Sequence, residues 1–295
     1  MSKSRIVIII GPTASGKSDL GVFLAKKFSG EIISADSRQI YKGLTIGSGK
    51  ISKQEMRGIP HHLLDVANPR RVFSVTQYQK LAEKAVHEII ARKKLPIIVG
   101  GSGMYIDAIL FGAPYPRVPP NQKLRKRLEK KSVEALFLTL QKKDPTRARG
   151  IDCHNKRRII RALEIFAATK KPIPPLVKIH RYNPLIIGIA KDTGALNRRI
   201  DIRLKTRVRY GLIAEVRRLL AQGISYKRLY ELGLEYRFIS EYLRGARAKK
   251  ETLALLSRAI KNYAKRQITW FKQYPKTYWV RNKKQAEKLV EHLHH

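Results

Sequence analysis

Gly11-Pro12-Thr13-Ala14-Ser15-Gly16-Lys17-Ser18 has the spacing G-x-x-x-x-G-K-S. In such a loop, backbone N–H groups and the positive end of the following helix converge on phosphate oxygens. Lys17 supplies a mobile cation, and the Ser18 hydroxyl is placed to ligate Mg²⁺. The motif needs a strand before it and a helix after it. Arg5 to Ile10 is an apolar run of the kind buried on both faces of a parallel sheet, and Lys17 to about Lys27 reads as a helix. Gly11 to Ser18 is therefore a candidate site for a diphosphate or triphosphate. Holding a phosphate in this way does not by itself imply ATP hydrolysis.

Many phosphate-loop enzymes place an acidic residue at a nearby strand end to hold Mg²⁺. The run Leu95 to Gly101 ends instead in Gly100-Gly101. The acid at a strand end is Asp36, which closes the run from Glu31. The carboxyl ends of strands in an open α/β sheet line the ligand crevice. Asp36 there can be a general base, a metal ligand or a helix cap, and its position alone does not choose. His61 and His62 are adjacent on an extended segment, so their side chains point to opposite sides. With Cys153 the single cysteine, they point to structural or loop roles and not to zinc.

The elements that must position these residues follow from periodicity. Glu31 to Asp36 and Leu95 to Gly101 read as strands, Tyr78 to Lys93 as an amphipathic helix, and Leu185 to Ala190 as a strand that returns to the sheet. Alternation of strand and helix implies an α/β fold with a parallel sheet. Around Tyr115-Pro116-Arg117-Val118-Pro119-Pro120 the composition turns proline-rich, and a basic, mostly helical stretch follows. The reading is a P-loop NTPase-like parallel sheet core with a mainly α-helical insertion. It divides the chain into residues 1–118 (first part of the core), 119–182 (basic helical insertion) and 183–295 (return strand and C-terminal basic helices). Leu196, Ile200, Leu204, Val208 and Leu212 recur every four residues and predict one long helix ending near Gly223. Leu253, Leu256, Ile260, Tyr263, Gln267 and Trp270 mark one face of a last long helix, with Arg258, Lys261, Lys265 and Lys272 as a basic stripe on another.

Charge points to a partner. The chain has 62 Lys and Arg against 22 Asp and Glu, a formal net charge of +40. Residues 1–116 hold 17 basic and 8 acidic residues, 117–182 hold 19 and 5, and 183–295 hold 26 and 9, so the excess is densest beyond the first third. Such a balance suits a polyanion, most often nucleic acid. No apolar run reaches the roughly 18 residues that span a bilayer. The single cysteine and the absence of a secretory pattern at the N-terminus suggest a cytoplasmic protein.

Taken together, the motifs resemble a family. Gly11–Ser18, Ser34-Ala35-Asp36-Ser37-Arg38-Gln39-Ile40-Tyr41, Ile59 to Asp65 and Ile98 to Tyr105 have the order and spacing of tRNA dimethylallyltransferases, and so do Arg157 to Glu164 and Tyr263 to Phe271. The likeness covers nearly the whole chain. It implies that the phosphate loop holds the diphosphate of dimethylallyl diphosphate with Mg²⁺ at Ser18. It implies that Asp36 takes the proton from N6 of the adenosine on the 3′ side of a tRNA anticodon, and that Thr13, Lys17 and an arginine stabilise departing pyrophosphate. Arg125 best matches that arginine, with Arg127 next. Asp36, Ser37, Arg38, Gln39, Ser102, Arg157, Arg158, Arg161, Lys265, Arg266, Gln267 and Trp270 match segments that contact tRNA. Partners would be a tRNA anticodon stem-loop and the prenyl diphosphate, acting on a monomer. Two rivals share the loop: an adenylate isopentenyltransferase, which needs no basic C-terminal helix, and a nucleoside or other small-molecule kinase, which would release ADP.

Overall fold

Arg5–Ile10 forms strand β1, with Ile6 through Ile10 fully buried. The computed structural model describes residues 4–112, 118–174 and 179–294; Tyr115, Pro116 and Arg117 of the proline break lie outside them. After β1 come α1 (Lys17–Lys27), β2 (Gly30–Ala35), α2 (Lys53–Met56), β3 (His61–His62), α3 (Val75–Ala91), β4 (Leu95–Gly100) and α4 (Gly103–Phe111). Then follow α5 (Gln122–Glu129), α6 (Val133–Lys143), α7 (Pro145–Arg149) and α8 (Lys156–Thr169). The chain continues with β5 (Asn183–Ile189), α9 (Thr193–Arg209), α10 (Leu212–Ala221), α11 (Tyr226–Leu232), α12 (Leu234–Leu243), α13 (Lys249–Phe271), β6 (Thr277–Val280) and α14 (Lys283–His294).

All six strands run parallel in the order β3-β2-β4-β1-β5-β6. This is an α/β sheet with β1 at its centre. Val7 and Ile9 join Leu20 and Leu24 of α1 and Ala286 and Val290 of α14 in one core layer. Ile6, Ile8 and Ile10 point to the other face, as the two-residue period of a strand requires. The return strand pairs with β1 from Arg5↔Asn183 to Ile10↔Gly188. This register brings the ends of β1, β2, β4 and β5 to one edge.

The chain divides into two compact units, Met1–Gly112 with Ile179–His295, and Ala113–Lys178. The second unit has its own core, in which Leu136, Leu140 and Ile159 are fully buried. Its polar centre is Glu164, 1% exposed, which accepts hydrogen bonds from Arg125, Arg161 and the Asn121 amide. Burial works to raise the Glu164 pKa, but these donors outweigh it and hold it down at about 2.

One expectation is corrected. The four-residue stripe from Leu196 to Leu212 does not form a single helix. α9 ends at Arg209, and Gly211 turns the chain with φ +97° before α10 begins at Leu212. Glycine reaches that left-handed region without steric cost, so the apolar period runs through a break that it cannot register. Two late elements, the four-residue β6 and α14, lie beyond the elements read from periodicity.

Candidate active site

The phosphate loop joins β1 to α1, and Gly16 at the helix entrance has φ +103° and caps it with no side chain. The first helical N–H groups are thus left for a ligand. Lys17 Nζ donates to the Pro12 carbonyl at 2.7 Å. Burial lowers the Lys17 pKa to about 8; Asp36 works against that shift and Arg203 adds to it. Ser15 is 3% exposed and its hydroxyl has no hydrogen-bond partner among the described residues. A buried orphan hydroxyl inside this loop fits a phosphate oxygen.

Asp36 follows β2 directly and is half-buried. Its Oδ1 accepts from the Arg38 amide at 2.8 Å and the Gln39 amide at 3.4 Å. One carboxylate oxygen therefore fixes the turn. No hydrogen bond to Oδ2 is formed among the described residues. Ser102, at the end of β4, ties the same turn down: its Oγ accepts from the Ser37 amide at 2.9 Å, and its own amide donates to Ala35. Tyr263 hydrogen-bonds Ser102, and burial together with the Asp36 charge raises its pKa to about 12, so the phenol keeps its proton. Tyr105 stacks on Tyr78 beneath this turn, with ring centroids 3.7 Å apart.

The other predicted site residues are placed as follows. Gln39 Nε2 donates to Gly49 O at 3.1 Å. A side chain at Gly233 would meet Arg38 Nη2 at 3.3 Å, so Arg38 lies against the α11–α12 turn. Lys265 and Arg266 are exposed on α13. Gln267 is 6% exposed and points inward. Trp270 packs against Gly103, its indole N–H buried and unpaired among the described residues. Arg157 and Arg158 are exposed in the first turn of α8, while Arg161 is held by Glu164 and the Val118 carbonyl. Arg125 gives Nε and Nη2 to Glu164 at 2.8 and 2.7 Å; Arg127 on the same helix is exposed.

Helix α9 carries two residues, Arg203 and Arg207, that spacing alone did not single out. Arg199, Arg203 and Arg207 recur every four residues, beside the buried stripe of Leu196, Ile200 and Leu204. Arg199 Nη2 lies 4.0 Å from where a Gly16 side chain would begin, and the Arg203 charge is felt at Lys17. Arg207 pairs with the buried Glu235 at 2.8 Å. Burial raises the Glu235 pKa, the Arg207 and Arg38 charges oppose this, and Asp36 adds to it. The available signal was the Arg-x-x-x-Arg-x-x-x-Arg period, offset by three from the apolar one. A basic helix face facing water has the same pattern.

The loop against which Arg207 packs depends on Glu215. This carboxylate, 2% exposed, accepts from the amides of Thr45, Ile46 and Gly47 at 2.7–3.0 Å and from Tyr236. Glu215→Ala is expected to lower stability by about 3–5 kcal/mol, because the buried Gly47 amide and Tyr236 hydroxyl and two part-buried amides lose their acceptor. The shift of the urea midpoint measures it. A change below about 1 kcal/mol would mean that water replaces the carboxylate.

His62 Nε2 contacts Glu31 at 2.7 Å, and Arg92 and Lys94 bind the same carboxylate. Among the described residues no group of three His, Cys, Asp or Glu side chains could hold a metal ion.

A phosphate loop at the centre of a parallel sheet, an acid at the end of the next strand but one and arginines of α9 beside the loop define an α/β protein built to bind a phosphorylated small molecule. The chain belongs to the IPP transferase family, whose model matches residues 39–274. It is 40% identical to the tRNA dimethylallyltransferase of Acetivibrio thermocellus over 98% of this chain and 96% of that protein. It is 42% identical to tRNA dimethylallyltransferase 1 of Geotalea daltonii over 90% and 86%. The full-length tRNA isopentenylpyrophosphate transferase of Bacillus halodurans matches in structure with TM-score 0.73, 35% identity, and coverage of 99% of this chain and 100% of that one. A eukaryotic dimethylallyltransferase, solved acting on tRNA, matches with TM-score 0.78, 26% identity, and coverage of 90% and 69%.

Proposed function

We propose that this chain transfers the dimethylallyl group of dimethylallyl diphosphate to N6 of the adenosine on the 3′ side of a tRNA anticodon, in the cytoplasm. The observation that carries the reading is the placement of Asp36 at the edge of the phosphate loop with one oxygen structural and the other open. The N6 lone pair forms a bond to C1 of the allyl group while the C1–O bond breaks and its electrons leave with pyrophosphate. The N6 proton passes to Asp36 Oδ2. Proton removal must accompany the reaction, because an alkylated N6 cannot keep the extra proton at neutral pH. Thr13 and Lys17, with Arg199 and Arg203 of α9, offset the charge that develops on the leaving group. The loop from Gly11 to Ser18 holds the diphosphate through those of its N–H groups that are not already bonded within the protein.

Mg²⁺ fits this site in a limited way. Ser18 is the loop hydroxyl placed to hold it, and no cluster of acids stands beside it among the described residues. That donor set suits a cation bound mainly by phosphate oxygens and water, the usual habit of Mg²⁺. When bound, it neutralises diphosphate charge.

Lys265, Arg266, Arg157 and Arg158 are exposed and serve RNA phosphates, together with Ser37 and Arg38 at the base. Lys261, by contrast, is held by Asp201 at 2.7 Å. Alanine at both Lys265 and Arg266 is expected to weaken tRNA binding and flatten its log–log salt slope by about 1–2, with donor affinity unchanged. An unaltered slope would place that helix face away from RNA. The function itself is tested by incubating the protein with an anticodon stem-loop, Mg²⁺ and dimethylallyl diphosphate. The RNA should gain the mass of one prenyl group without ATP. Strict ATP dependence, or ADP release, would overturn the reading.

A further inference from the structure

We infer that Gln267 is a positioning residue of the donor site, not an RNA contact. Its side chain bridges two loops. The Thr13 amide donates to Gln267 Oε1 at 2.8 Å, and Gln267 Nε2 donates to the Gly101 carbonyl at 2.8 Å. Thr13 belongs to the phosphate loop after β1, and Gly101 follows β4. Both polar atoms of the amide are thus satisfied in the interior of the unit. Of the buried residues of α13, Thr252, Leu256, Ile260, Ala264, Gln267 and Phe271, only Thr252 and Gln267 are polar. A buried amide on a mostly apolar stripe costs free energy unless both ends are bonded.

The arrangement has a consequence for the loop. The Thr13 amide, spent on Gln267, is not a donor to phosphate. Instead Gln267 sets the position of the Thr13 backbone, and so where the Thr13 hydroxyl points. The neighbouring chain leaves room for nothing larger: a Cβ at Gly101 would collide with Gln267 Nε2, and one at Gly103 with the Trp270 ring one turn later on α13. The glycines at the end of β4 therefore admit α13 side chains to the phosphate loop.

Glutamate is the discriminating substitution, because its protonation state selects between two bonding patterns. Protonated Gln267→Glu keeps both bonds: the carbonyl accepts from Thr13, and the hydroxyl donates to Gly101. Ionised, it still accepts from Thr13 but sets a negative oxygen against the Gly101 carbonyl, beside the diphosphate. The variant is expected to bind dimethylallyl diphosphate and turn over nearly as wild type at low pH. Relative to wild type, both properties fall by about tenfold or more as pH rises, the scale of one lost hydrogen bond plus repulsion. Binding of the anticodon stem-loop should stay within about twofold throughout.

This inference rests on the proposed donor site, so wild-type protein is titrated with dimethylallyl diphosphate in parallel. Failure of wild type to bind it removes the functional reading itself. If wild type binds, and Gln267→Glu follows its pH profile or loses RNA affinity instead, the positioning role is wrong. Should Gln267→Glu not fold, Gly101→Ala decides, since it displaces the same amide without adding charge. A pH-independent loss of donor affinity, again with RNA binding kept, supports the role; unchanged donor affinity overturns it.

Discussion

Asp36→Asn is expected to lower the single-turnover rate of prenyl transfer by about 10²–10⁴-fold, with near-normal affinity for both substrates. The N6 amine of adenine is a poor nucleophile because its lone pair is delocalised into the ring. Attack on the allylic carbon builds positive charge at N6 while negative charge leaves with pyrophosphate. A carboxylate beside N6 orients the amine, offsets that charge and accepts the proton. Asparagine keeps the size and, through its carbonyl, the acceptor that Arg38 and Gln39 use. The turn therefore survives while the base is lost. Single-turnover rate, donor affinity and melting temperature measured on one preparation decide the matter. An intact rate with damaged binding or stability would make Asp36 a metal ligand or a cap alone.

The second large effect is expected from Lys17→Ala. A charged hydrogen bond to phosphate contributes about 1.5–3 kcal/mol, so dimethylallyl diphosphate should bind about 10–10²-fold more weakly and transfer should nearly stop. The pH dependence gives an independent check. Burial holds the free Lys17 pKa at about 8. Diphosphate prefers the ammonium form, so binding raises that pKa and takes up a proton. Wild-type affinity should be steady below about pH 8 and decline above it, while Lys17→Ala should lack that decline. Calorimetric titration across this range measures both. Equal affinities for wild type and variant would remove Lys17 from the donor site.

Much of this protein is determined by local sequence. The phosphate loop is legible because its chemistry is backbone chemistry: glycines and a following helix suffice, wherever the rest of the chain goes. The central strands are legible because residues buried on both faces leave an unbroken apolar run, as in Ile6 to Ile10. Asp36 could be singled out by its place at a strand end, but its role could not be chosen. Only the folded turn shows that Oδ1 is given to two amides.

Tertiary structure decided the rest. Two donors of Arg125 go to Glu164, thirty-nine residues away, a pairing that spacing does not reveal. Arg199 and Arg203 come to the phosphate loop because α9 follows the return strand beside β1, a fact of sheet order and not of spacing. Gln267 and Lys265 are two residues apart on one helix, and one is buried while the other is exposed. Periodicity assigns the two to different faces but does not say what either face meets. Which side faces the sheet is set by what packs there, and here that is Gly101 and Gly103, glycines more than 150 residues earlier in the chain whose missing side chains make the space.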